Sequence, residues 1–225
     1  MNGLMKFASI AAALFLSACV ASEPASRSVS QDALTLASRG TGSIPGGAKV
    51  IAPLYTVTDV RVAVPQDLRV SEANVFYPVA DIVWRGDPMG NRHQQVAAIF
   101  REAAAQATAS MRGPRAAVVE IELVRFHGVT EKTRYTVGGT HNMEFNLTVR
   151  DAATGAIIDG PRFVEADAKA AGGRAALAEE QAGRTQKVVV TEKLVQTLRR
   201  ELSGPVTDPV LVSRALASPV TVALR

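Results

Sequence analysis

The chain has 225 residues, 47% hydrophobic, 20% charged and 5% aromatic, with 25 basic against 21 acidic residues and one cysteine. This composition excludes a disordered chain, a disulfide-stapled mini-protein and a large multi-domain enzyme. One globular domain remains, with further segments at its ends.

Residues 1–18 read as a lipoprotein signal peptide. Lys6 supplies the positive region, and Phe7 to Leu16 is apolar except for Ser9. Ten helical residues span about 15 Å, half of a hydrocarbon core of roughly 30 Å, so this stretch is an export signal rather than a membrane anchor. Leu16-Ser17-Ala18-Cys19 has the lipobox pattern. Small residues admit the backbone to a peptidase cleft, and the Cys19 thiol can take a diacylglycerol thioether. A further acyl chain on the freed amine would make the anchoring stable. Val20, where inner-membrane retention typically uses Asp, points to the outer membrane facing the periplasm. Signal removal takes Lys6 and no acid, leaving a charge of +3, too small for a nucleic-acid footprint.

Residues 19–56 read as a flexible tether rich in Ala, Ser, Gly and Pro, in which Val50–Leu54 either begins the fold or precedes it. The domain is expected over 57–204. Val60, Val62 and Val64 alternate with other residues as a strand, and Ile82-Val83-Trp84 forms a second. Asp87 is placed to cap a helix from Pro88 to about Met111, with Met89, Val96, Ile99, Phe100, Ala103 and Ala107 on one stripe. Two clear strands follow, one with Ala117, Val119, Ile121 and Leu123 inward, the other with His141, Met143, Phe145, Leu147 and Val149 inward. Gly155 marks a hairpin turn into a third strand, where Gly160-Pro161 signals a bulge or an edge. Ala175–Ala182 forms a short helix stopped by Gly183. From Thr185, Val188, Thr191, Leu194, Val195, Leu198 and Leu202 form a second amphipathic stripe. The tail 205–225, with Pro205, Pro209 and Pro219, is expected to be extended or disordered. The element order predicts an α+β two-layer sandwich: an antiparallel-rich mixed sheet with two amphipathic helices packed on one face.

Candidate sites are few. His127 and His141 end and begin the two central strands, which would bring them near each other, but no spacing on one element suggests a metal site. Glu120, Glu122 and Glu144 fit a solvated stripe better than a catalytic pair. The sequence has no nucleophile elbow or phosphate loop, so no cofactor, metal or catalytic residue is expected. The connection 125–142 carries Lys132, Arg134 and Tyr135, residue types suited to partner contacts. Its alternative is a twisted ribbon with solvated charges. Trp84 reads as core.

Val70-Ser-Glu-Ala-Asn74, the run from Ala80 to Val96 (ADIVWRGDPMGNRHQQV) and the run from Arg125 to His141 (RFHGVTEKTRYTVGGTH) resemble an uncharacterised alphaproteobacterial lipoprotein family. The resemblance covers about 57–202 and implies no known activity or ligand. The element order is also similar to small α+β domains of envelope assembly lipoproteins, a likeness of fold alone. The expectation is a non-enzymatic lipoprotein, anchored through Cys19, that binds an envelope protein through a sheet edge or through His127, Lys132, Arg134, Tyr135 and His141. The alternatives are a carrier of a lipid or small hydrophobic ligand and, more weakly, a His-dependent metal protein or hydrolase.

Overall fold

The computed structural model describes residues 50–217. The expected signal peptide, Cys19, most of the expected tether and the last eight residues lie outside the described residues.

Strand β1 (Val50–Pro53) leads into β2 (Tyr55–Ala63), a long loop and the two-residue β3 (Ile82–Val83). Helix α1 (Arg92–Thr108) follows, then β4 (Arg115–His127), the one-turn α2 (Glu131–Arg134), β5 (Gly139–Asp151), β6 (Ile157–Glu165) and β7 (Ala168–Ala170). Helices α3 (Arg174–Gln181) and α4 (Gln186–Glu201), strand β8 (Ser203–Val206) and α5 (Pro209–Ala217) complete the order. The main sheet runs β2-β4-β5-β6, with β3 beside β4 and β7 beside β5. Strand β4 is parallel to β2 and antiparallel to β5, so the sheet is mixed and the fold is α+β as expected.

Strict alternation makes β4 and β5 the centre of the core. Ala117, Val119, Ile121 and Leu123 on β4, and Met143, Phe145, Leu147 and Val149 on β5, are all buried. Val96, Ile99, Phe100 and Ala103 of α1 and Val190, Leu194 and Leu198 of α4 join them in one cluster. Phe100 meets Phe126 and Phe145 edge-on, at centroid distances of 6.2 and 5.4 Å, so aromatic rings fill the space between helix and sheet. On the opposite face, Arg150 donates to Glu120 at 2.7 Å. The sequence also anticipated β6, which is an edge strand whose register slips at Gly160-Pro161.

Three expectations need correction. Helix α1 begins at Arg92, capped by Asn91, whose side chain accepts from the Gln94 amide at 3.1 Å. Asp87 does not cap it, because its carboxylate is held by Trp84 and Lys187, and Met89 is consequently solvent-exposed outside the helix. On α4 the inward residues are Val189 and Val190, while Val188 is half-exposed. At the two ends of the domain, β1 pairs antiparallel with β8, and α5 follows, so ordered structure starts before residue 57 and continues past 204. Ala52, Val206 and Val212 form a small separate cluster there, in place of an extended tail.

Candidate functional site

The three sequence runs that carry the resemblance converge at the end of the sheet where β4 stops. The loop 64–81 reaches this end from β2 and enters β3, which lies parallel to β4 with Ile82 opposite Phe126 and Val83 opposite His127. Trp84 is fully buried just beyond, its ring edge-on to Phe126 at 5.4 Å, as a core tryptophan. Its indole N–H donates to Asp87 at 2.8 Å, and Lys187 of α4 donates to the other carboxylate oxygen at 3.0 Å. Burial would push the Asp87 carboxyl up, but these two bonds outweigh it and hold it below the usual range. A Cβ on Gly86 would stand 2.4 Å from the indole, so only glycine lets the chain pass the ring.

A charge network ties the runs together. Arg92 is only 5% exposed although it occupies the first turn of α1, where the helix dipole disfavours a cation. Glu72 from the loop answers it with two bonds, at 2.6 and 3.0 Å, and Arg92 also donates to the Asp87 and Pro88 carbonyls and to Gln95. The Arg92 bond holds the Glu72 carboxyl below its ordinary pKa. Arg85 bridges Glu72, at 3.2 Å, to Glu131 of α2.

The loop's far side is pinned to α2 through its backbone. Thr130, which caps α2, donates to the Val75 carbonyl at 2.7 Å, and Thr133 donates to the Phe76 carbonyl at 2.9 Å. Asn74 accepts from the Lys132 amide at 2.8 Å. The loop's side chains nonetheless face solvent: Phe76 is 52% exposed, Tyr77 68% and Val79 84%. Lys132 lies over the Phe76 ring, its Nζ 4.6 Å from the centroid. Arg125 lies over the Tyr77 ring at 5.8 Å and donates to its hydroxyl. The result is an apolar tip, Val75–Val79, with a backbone fixed by hydrogen bonds and a cation beside each aromatic ring.

The five residues expected to contact a partner end up in different environments. Lys132 and Tyr135 are exposed, and Tyr135 donates to Glu180 of α3 at 3.1 Å. Arg134 is 2% exposed, with its Nε 3.9 Å from Glu180, so it is a buried residue rather than a surface one. His127 is buried under Tyr77, with ring centroids 5.0 Å apart, and its Nε2 donates to the Ala80 carbonyl at 3.1 Å. His141 is fully buried, and its Nδ1 accepts from the Val129 amide at 3.3 Å. Burial, then the Arg134 charge, lowers its pKa to about 4, so it is neutral at pH 7.

The two histidines are not brought together. The register sets His127 opposite Asn142, which puts His141 on the other face of the sheet, beside Met143. Among the described residues, no group of three or more His, Cys, Asp or Glu side chains is arranged to hold a metal ion. The connection 125–142 is neither a plain ribbon nor a free loop, because α2 interrupts it. Gly138 takes φ +70° where the chain crosses Gly172, whose Cβ would stand 2.3 Å from the Gly138 nitrogen. Sequence reasoning missed the tip. The VFYPV run was its signal, an uninterrupted apolar stretch without strand alternation.

Residues 55–217 match the model of a family of unknown function, DUF6778. The chain belongs to that family. No protein of curated function matches it. Partial likenesses are found among solved structures. One is a candidate lipoprotein from Caulobacter crescentus, with 21% identity over 47% of this chain and 79% of that one and a TM-score of 0.26. A DUF330 protein from Xanthomonas campestris shows 9% identity over 74% and 91%, with a TM-score of 0.40. A minor lipoprotein from Acinetobacter baumannii shows 9% identity over 66% and 97%, with a TM-score of 0.28.

Proposed function

We propose that this protein is a non-enzymatic lipoprotein of the cell envelope, anchored through Cys19, whose tip Val75–Val79 binds an envelope protein. The observation that carries this reading is the tip itself: solvent-facing Phe76, Tyr77 and Val79 on a backbone already fixed by Thr130, Thr133 and Asn74. A run of exposed apolar side chains is unfavourable in water unless something covers it, and a fixed backbone lowers the ordering entropy that binding would otherwise cost. The Leu16-Ser17-Ala18-Cys19 pattern supports the anchor, and Val20 supports the outer membrane. The carrier alternative is not favoured, because the space between α1 and the sheet is occupied by Phe100, Phe126 and Phe145.

The test is photo-crosslinking in intact cells from residue 79, where an 84% exposed side chain tolerates replacement. A defined protein adduct is expected, together with release of the protein from the membrane fraction in Cys19→Ser. Absence of any adduct from residue 79 under several growth conditions would overturn the binding assignment.

A further inference from the structure

We infer that the tip recognises an acidic-apolar segment of its protein partner, using Phe76, Tyr77 and Val79 for the apolar contacts and Lys132 and Arg125 for the carboxylates. This rests on the reading of the tip as a binding surface and adds the chemistry of what it binds. The argument is charge complementarity. Four carboxylates of this sheet end are already paired: Glu72 with Arg92 and Arg85, Asp81 with Arg69, Asp87 with Lys187, and Glu131 with Arg85. Among the described residues, Lys132 and Arg125 make no ion pair within 4 Å, although Glu144 stands opposite Arg125 in the strand register. Both instead rest on the rings of the exposed aromatics, at 4.6 and 5.8 Å. The tip therefore presents two cations without a direct ion pair, each against an aromatic ring. A carboxylate arriving beside an apolar side chain satisfies both at once, whereas a basic segment meets two like charges. The aromatic and arginine residues are also of the types that dominate protein interfaces.

A protein is favoured over a bilayer by where the chain enters. Tyr55, the first residue of β2, lies opposite Arg115 at one end of β4, and the tip lies at its His127 end. Thirteen strand residues separate these ends by about 40 Å at roughly 3.3 Å per residue. The tip thus lies at the opposite end of β4 from Tyr55, where the chain enters the sheet.

The test is selection of a random dodecapeptide display library on the full chain carrying Cys19→Ser, with counter-selection on the same chain also carrying Lys132→Glu. Support would be enrichment of peptides that combine Asp or Glu with apolar residues and bind Lys132→Glu or Tyr77→Ser at least tenfold more weakly. Their binding should also weaken between about 50 and 500 mM salt. Lys132 and Tyr77 are exposed, so both variants should fold, and unchanged circular dichroism would confirm it. Enrichment of basic or neutral peptides that still require Tyr77 would overturn the charge assignment and leave the tip as a binding surface. Failure to enrich any tip-dependent peptide would count against both. In a vesicle arm, a fluorophore at Val79→Cys is compared with one at Thr154→Cys. A blue shift confined to residue 79 on phosphatidylglycerol vesicles would replace the protein partner with a bilayer.

Discussion

At the scale of single residues, the sheet end is held by side chains whose partners come from far along the chain. Arg92 and Glu72 are the clearest pair. Arg92 is buried with each of its guanidinium nitrogens hydrogen-bonded, and Glu72 is the carboxylate that permits its charge at the helix N-terminus. Glu72→Gln should destabilise the domain by about 2 kcal/mol, less than the ~3–5 of a wholly buried pair because the Glu72 side chain is 38% exposed. Arg92→Met should be milder, since Glu72 keeps Arg85 and the buried site becomes apolar. Urea unfolding of the two variants checks the order, and a larger loss in Arg92→Met would contradict it. Gly86→Ala is a separate case. Its Cβ falls 2.4 Å from the Trp84 ring, so either the indole or the backbone must move, at about 1–3 kcal/mol. Trp84 is the only tryptophan, so its emission should shift to the red as the ring leaves its slot.

At the scale of elements, alternation was a sufficient guide where one face of a strand meets the core and the other meets water. Every inward residue expected on β4 and β5 is buried, because a period of two admits only one register against α1. Thr185, from which the apolar stripe was counted, caps α4 by accepting from the Val188 amide. Local signals failed where tertiary partners outbid them. Asp87-Pro88 is a good helix start in isolation, yet Trp84 and Lys187 claim the carboxylate and the helix waits for Asn91. The tip was missed, since its apolar run VFYPV has neither period and gives no element to place it on. What fixes it is a set of bonds from α2, a helix too short to announce itself. The β1–β8 pair is likewise invisible locally, as its strands are far apart in the chain and Pro205 argues against a strand. Its cohesion rests on Ala52, Val206 and Val212, a cluster separate from the main core. Val212→Asp should therefore loosen 50–53 and 203–217 without unfolding the sheet. Hydrogen exchange would show faster amides in those two segments and unchanged protection along β4 and β5. Loss of protection across the whole sheet would mean that the ends are integral to the core.

At the scale of the molecule, stability should fall on the acid side of neutrality before the carboxylates begin to titrate. His141 is neutral in the folded protein because burial and the Arg134 charge lower its pKa from 6.5 to about 4. In the unfolded chain it regains its ordinary value, so between these limits the unfolded state binds the extra proton. Stability then rises with pH: the contribution is complete above about 6.5 and lost progressively as pH falls toward 4. The shift corresponds to about 3 kcal/mol. His127 acts in the same direction, its pKa lowered by burial and then by Arg125. Glu72 and Asp87 have lowered values and add their losses only below the ordinary carboxylate range, so the window from 6.5 to about 4.5 isolates the histidines. His141→Asn is the informative variant, because its side-chain oxygen can take over acceptance from the Val129 amide while removing the titrating group. Urea unfolding at half-unit pH steps should give a slope in this window that is steep in the parent and reduced in His141→Asn, with the remainder due to His127. An equal slope in both proteins would show that His141 is not the buried base that couples folding to pH.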